Sequence, residues 1–177
     1  MLIREADESD ASGIASVQAN VWQTTYKGIV PDDYLTSYTA EKRFVRWRQI
    51  LASQANQTGD FTFVAQTEDK QIVGFASAGQ AEEESVKGFA GELIAIYLLE
   101  NYQRRGIGKL LVKTVAERFL RRQTNSMFVW VLADNPFTAF YESLGGEFLS
   151  EEQMEIGGAT LRAVSYGWKD LNALLER

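Results

Sequence analysis

Cysteine and histidine are both absent from this 177-residue chain, and each absence removes a class of chemistry. Without a thiol there is no disulfide, no iron–sulfur ligation, no Cys-type zinc site and no thiolate nucleophile; without an imidazole there is no Ser/His/Asp triad and no HExxH metal motif. A resident metal would have to be a hard cation on oxygen ligands, and none is expected. An enzyme of this composition works with carboxylates, phenols, hydroxyls, lysines and backbone groups. Long apolar runs are missing too: Leu93 to Leu99 and Phe128 to Ala133 fall far short of the roughly 18 residues of a membrane span. The opening Met-Leu-Ile-Arg-Glu has no signal-peptide pattern. The expectation is a cytoplasmic protein without a membrane partner. Only two prolines occur, and no internal repeat or linker is evident, so residues 1–177 read as a single domain.

Basic surface is also scarce. Net charge is −6 and the isoelectric point about 4.8, which excludes general nucleic-acid binding. The charge is unevenly spread. From Gln103 to Arg122, seven cations (Arg104, Arg105, Lys109, Lys113, Arg118, Arg121, Arg122) face one anion, Glu117, a local +6 that leaves −12 on the rest. Such a run is ordinarily a solvated helix face, but here a glycine loop opens the helix.

What is present is a clear change of period along the chain. Leu2 to Ala6 alternates as a short strand. Ile14, Val17, Val21 and Trp22 repeat at helical spacing after Asp10, a candidate cap, up to about Thr25. Gly28 and Pro31 break that helix. A second helical stretch runs from about Asp32 to Ser53, interrupted near Thr39. A polar loop from Gln54 to Asp60 precedes a hairpin of Phe61 to Thr67 and Ile72 to Ala81, followed by an acidic loop from Glu82 to Gly88. Leu93 to Leu99 reads as a strand buried on both faces. Ile107, Leu110, Leu111, Val115 and Phe119 define an amphipathic helix ending near Gln123. Then come a buried strand, Met127 to Leu132, a short helix, Pro136 to Leu144, and a terminal hairpin around Gly157-Gly158. The order β-α-α-β-β-β-α-β-α-β-β predicts an α/β (α+β) fold: a mixed, mostly antiparallel sheet of six to seven strands flanked by about four helices.

The segment with most chemistry is Gln103-Arg104-Arg105-Gly106-Ile107-Gly108, which carries a buried strand straight into a helix. Glycines let backbone N–H groups approach an anion, and the helix N-terminus adds about half a positive charge. This suits a pyrophosphate. It is neither a Walker P-loop nor a dinucleotide fingerprint, whose spacings are absent.

Gln103, Gly106 and Gly108 match the signature [QR]-x-x-G-x-[GA], and with it the chain resembles the GCN5-related N-acetyltransferase (GNAT) superfamily. The resemblance continues through the strand Glu92 to Leu98, through Lys109-Leu110-Leu111, and through Asn135-Pro136 and Phe140-Tyr141-Glu142-Ser143-Leu144-Gly145. Together these cover about a third of the chain. It departs from the family pattern at Glu100, where many members carry Pro, and in an Asn135-to-Tyr141 interval one residue shorter than the commonest form.

The resemblance implies direct acetyl transfer from acetyl-CoA to an amine, on a GNAT fold whose acetyl-CoA core is residues 92–122. It implies cofactor contacts from Ile96, Tyr97, Leu98, Gln103, Arg104, Arg105, Gly106, Ile107, Gly108, Lys109 and Asn135, with Asn135 open to a second role as an ordinary helix cap and Asp134 a substitute for it. Tyr141 resembles the family's general acid, and Glu92 a carboxylate at the position of a base acting through water. Residues 22–53 correspond to the acceptor side, where Trp22, Tyr26, Tyr34 and Tyr38 gather near Asp32 and Asp33 as walls suited to a cationic amine. The expected acceptor is a small-molecule amine, with a peptide N-terminus or lysine, or a non-catalytic CoA-binding sensor, as the alternatives. The chain is expected as a monomer or a homodimer.

Overall fold

The computed structural model describes residues 1–55, 59–82 and 86–177. The loops read at Gln54–Asp60 and Glu82–Gly88 therefore lie partly outside the described residues. Thirteen elements follow in chain order: β1 (Leu2–Glu5), α1 (Ala11–Thr25), α2 (Asp32–Ser37), α3 (Ala40–Ala55), β2 (Phe61–Gln66), β3 (Ile72–Gln80), β4 (Gly91–Leu98), α4 (Ile107–Arg121), β5 (Met127–Leu132), α5 (Thr138–Ser143), β6 (Glu147–Ile156), β7 (Ala159–Trp168) and α6 (Leu171–Glu176). One-turn 3-10 helices precede α1 and α4.

The strands form one sheet in the order β1-β2-β3-β4-β5-β7-β6. Every neighbouring pair is antiparallel except β4 and β5. The amphipathic α4 covers one face, joined by α5 and α6, over a core of Phe61, Leu93, Leu111, Val115, Phe119 and Met127. The other face is covered by α1 and α3 through Ile14, Val17, Trp47, Leu51 and Phe75. A third apolar group joins α2 and the end of α1 to β5 and β7, through Tyr26, Val30, Leu35, Leu132 and Ala163.

The described residues contain six α-helices where the sequence pattern implied about four. The stretch from Asp32 is two helices, parted at Tyr38-Thr39 near the anticipated break, and α6 was unanticipated. The short apolar segment Leu171–Leu175 follows a strand directly, too brief to show a helical period, yet Asp170 caps it through Asn172 N–H at 2.9 Å and it docks on α4. Asp10 does stand at the α1 boundary, but its carboxylate caps nothing there. It takes both guanidinium nitrogens of Arg4 at 2.6 and 2.7 Å and the Asp7 N–H at 3.0 Å, while Asp7 accepts from Ser9 N–H.

Two irregularities of β4 shape the centre of the molecule. Ala95 pairs with Ser77 but Leu93 pairs with Ala78, so Ile94 is an extra residue, a β-bulge. The bulge resets the alternation: Leu93, Ile96 and Leu98 face α4, and Ala95 and Tyr97 face α1, with Leu99 beyond the strand end touching both groups. The second is a divergence. β4 pairs with β5 only at Gly91–Met127 and Glu92–Phe128, after which the two strands separate in a V.

Candidate active site

A cavity of about 440 Å³ occupies the opening of that V. One wall is β4 from Ile94 to Leu98, the other is Val129, Trp130 and Val131 of β5. Gln103, Arg104, Gly106, Gly108 and Lys109 form one end, Val21, Thr25 and Tyr26 of α1 the other, and Asn135, Phe137, Phe140 and Tyr141 close the side.

The free edge of β4 follows from its hydrogen bonds. Leu99 N–H bonds Val73 O toward β3, so strand alternation turns the polar backbone groups of Leu98 and Ile96 the other way, into the V. Leu98 O is met there by Gln103 Nε2 at 3.0 Å. The remaining edge groups of these residues face the cavity, unpaired by β5, and can hold the amides of an extended ligand and the oxygen of an attacked carbonyl.

At the loop end, Arg104 and Gly106 both adopt the left-handed conformation, at φ 60° and 79°. Two reversals of this kind turn successive N–H groups toward one point. Helix α4 starts at Gly106 without a side-chain cap, so the amides of its first turn are unclaimed by the helix itself. A Cβ on Gly106 would meet no protein atom within 4 Å, whereas one on Gly108 would reach the Phe140 ring at 3.3 Å. The space over the loop is open, and two cations, Arg104 and Lys109, line it. These features fit a diphosphate bearing an extended amide arm, as coenzyme A does.

Lys109 and other cations of the basic run also have structural partners. Lys109 and Lys113 bond carbonyls of Arg177 and Leu175 at 2.6 and 2.5 Å, holding α6. Arg118 makes a bidentate pair with Glu5 at 2.9 and 2.6 Å, and both Arg118 and Arg122 lie over the Phe61 ring. Arg105 stacks on Tyr102 at 5.6 Å and does not line the cavity. Ile107 turns its side chain into the core and offers only its backbone.

Tyr141 is buried in the cavity wall. Its ring stacks on Tyr166 at 5.8 Å and 20° and meets Phe140 and Trp168 edge-on, and burial, then the neighbouring Tyr97, raises its pKa above the ordinary phenol value. It therefore stays protonated at neutral pH, as a proton donor must. Tyr26 and Tyr97 also line the cavity, and burial raises both.

The structure brings Trp22, Tyr26, Tyr34 and Tyr38 together as the sequence suggested. Trp22 stacks on Tyr38 at 4.3 Å and leans on Tyr26 and Tyr34 at 4.7 and 6.0 Å. Only Tyr26 of the four lines the cavity; Trp22 and Tyr34 stand behind it, Trp22 donating to the Tyr97 hydroxyl at 3.0 Å. Glu92 is not brought to the cavity wall. It lies at the closed end of the V, half-buried, its pKa raised first by burial and then by Glu82 and Asp60.

Asn135 does reach the wall, with its amide already engaged: Oδ1 accepts from Phe137 N–H at 2.9 Å and Nδ2 donates to the Tyr26 hydroxyl at 3.0 Å. The sequence reading also missed Phe137, Phe140 and the β5 residues Val129 to Val131. The apolar β5 segment marked a strand but gave no sign that β4 would leave it.

A model of the acetyltransferase (GNAT) family matches residues 22–145. The chain belongs to that family. An uncharacterized N-acetyltransferase, YuaI, of Bacillus subtilis is 41% identical over 172 residues, 97% of this chain and 95% of its own. A spermidine N(1)-acetyltransferase of Thermoplasma acidophilum is 28% identical over 123 residues, 68% of this chain and 71% of its own. Among solved structures, PaiA N-acetyltransferase from Thermoplasma acidophilum in complex with coenzyme A superposes with a TM-score of 0.69 at 18% identity, covering 94% of this chain and 98% of that one. This GNAT member is thus an N-acetyltransferase on a mixed seven-stranded sheet. Among its described residues no helix is long and apolar enough to cross a membrane.

Proposed function

We propose that this GNAT member transfers an acetyl group from acetyl-CoA directly to a primary amine of a small molecule. The observation that carries the reading is the continuity of one cavity, from the uncapped start of α4 along the free edge of β4 to the phenols of Tyr26 and Tyr141. Acetyl-CoA, when bound, supplies an activated carbonyl and a thiol leaving group. Arg104, Lys109 and the N–H groups of Gly106 to Gly108 would hold its diphosphate, and the β4 edge at Ile96 and Leu98 its amide arm, with one edge N–H at the carbonyl oxygen.

Tyr141 then protonates the departing thiolate. Glu92 lies too far along β4 to line the cavity, so it would draw the amine's proton through water, a task helped by its raised pKa. A small acceptor is favoured by the packing at the acceptor end: a Cβ on Gly157, at the β6–β7 tip, would come within 2.6 Å of Tyr34 Cβ. That close seat of the hairpin on α2 narrows the approach a polypeptide would need. The test is thiol release from acetyl-CoA with a panel of small amines set against peptides bearing a free N-terminus or lysine. Faster release with peptides would reject the acceptor class, and CoA binding without release would favour a sensor.

A further inference from the structure

Asn135 is bonded through every kind of polar atom it has. Its N–H goes to Leu132 O at 2.9 Å, its carbonyl accepts from Thr138 at 3.3 Å, Oδ1 accepts from Phe137 N–H, and Nδ2 donates to Tyr26. The amide's orientation is dictated by these partners: Phe137 N–H is a donor, so only the amide oxygen can face it, and the nitrogen must face Tyr26. The Tyr26 hydroxyl is thereby an acceptor at Asn135 and cannot spend its proton there. Tyr97 stands in the same relation to a second fixed donor, Trp22 Nε1. The Tyr97 hydroxyl is also hydrogen-bonded to Gln18 and to Tyr26, so the proton that Tyr26 cannot give to Asn135 has a partner in Tyr97 and the Tyr26 oxygen keeps a lone pair to accept with.

We propose that Asn135 is an acceptor-side positioning residue, whose fixed amide holds the Tyr26 hydroxyl so that its oxygen accepts an N–H of the incoming amine. This rests on the acetyltransferase reading above and assigns a residue within it. Of the four clustered aromatics Tyr26 alone reaches the cavity, and the residue is buried, so the hydroxyl is its one polar side-chain contribution there. A neutral amine attacking a carbonyl keeps its lone pair for the new C–N bond, and its N–H groups gain positive character as the bond forms. The oxygen of Tyr26 meets that N–H as a hydrogen-bond acceptor, the C–N bond forms, the amine's proton leaves to water, the C–S bond breaks, and the sulfur takes a proton from Tyr141, which regains one from water. The one-residue shortening between Asn135 and Tyr141 is consistent with the amide facing α1 instead of the cofactor.

The test uses two variants of the full chain. Asn135→Ser keeps an oxygen for Phe137 N–H but is too short to reach Tyr26; Tyr26→Phe removes the hydroxyl alone. Each is expected to lower kcat/KM for the amine about tenfold, with the double variant no worse than Tyr26→Phe, because both changes remove one device. CoA affinity by calorimetry should stay within about twofold in Asn135→Ser. A drop in CoA affinity of tenfold or more would return Asn135 to the cofactor and overturn the proposal, as would additive losses in the double variant. Should wild type acetylate no amine in the panel, the acetyltransferase reading fails and this assignment with it, whereas turnover indifferent to both variants sinks this assignment alone.

Discussion

In the proposed reaction Tyr141 and Glu92 divide the proton chemistry, and their environments separate them. The Tyr141 phenol is buried among rings that raise its pKa, so it is a donor and not a base at neutral pH. Tyr141→Phe should lower kcat by about 10²-fold with acetyl-CoA affinity unchanged; wild-type turnover would assign the proton to water. Glu92 is a carboxylate whose folded pKa lies above the ordinary 4.5. The folded protein then binds this proton more tightly than the unfolded chain, so stability falls as pH rises from 4.5 to the folded pKa. Glu92→Gln should raise Tm near pH 7 and leave it unchanged near pH 4. In the same variant kcat/KM for the amine should drop and its acidic limb flatten. A limb that moves with the acceptor's own pKa and ignores the substitution would strip Glu92 of its role. Glu5 has the opposite sign: the hydrogen bond from Arg118 holds it below its usual value, a contribution present at neutral pH and lost on acidification.

β4 is the element on which the site depends. The burial on both faces expected of Leu93 to Leu99 is not found: Leu93 is buried, but Ile94 is 50% exposed and the residues after it are only partly buried, because the edge that faces the V is open. The strand character was legible in that apolar run, and the glycine loop beyond it in Gln103 to Gly108. The bulge at Ile94 and the divergence from β5 were not, because both depend on what lies beside the strand. A run of Leu, Ile, Ala and Tyr reads the same whether its edge is paired or free. The start of β4 was also set by tertiary packing: Gly91 extends the strand because the Phe119 ring occupies the place of a side chain, with a Cβ there meeting the ring at 2.8 Å. Gly91→Ala should therefore cost about 1–3 kcal/mol by overpacking, read as a lower urea midpoint. Gly106 differs, since a Cβ there enters open space and only its φ of 79° resists substitution. Gly106→Val should leave a folded protein about 1–2 kcal/mol less stable, with CoA affinity down at least tenfold. An unchanged affinity in calorimetry would remove the loop from the binding site.

At the scale of the molecule, the succession of strands and helices and the mixed, mostly antiparallel sheet flanked by helices followed from period and order along the chain, and the family resemblance pointed to the same fold; the spatial order of the strands came only with the structure. The pairing of Asn135 with Tyr26 could not be read from the sequence, since the two residues are 109 positions apart and meet only when the turn after β5 comes against the end of α1. The basic run was legible as charge but not as structure: Lys113, Arg118 and Arg122 fasten α6, β1 and β2 to α4, while Arg104 and Lys109 line the cavity, Lys109 also bonding α6's end. The proposed reaction places in that cavity the direct passage of an acetyl group from acetyl-CoA to a small amine. The most direct measurement follows wild type and Tyr141→Phe with acetyl-CoA and the amine panel, reading thiol release and acetylated amine together. Equal amounts of thiol and acetylated amine are expected from wild type, and a loss of about 10²-fold in the variant with CoA still bound. CoA binding without release for any amine, or thiol release with the acetyl group left on the protein, would contradict that reaction.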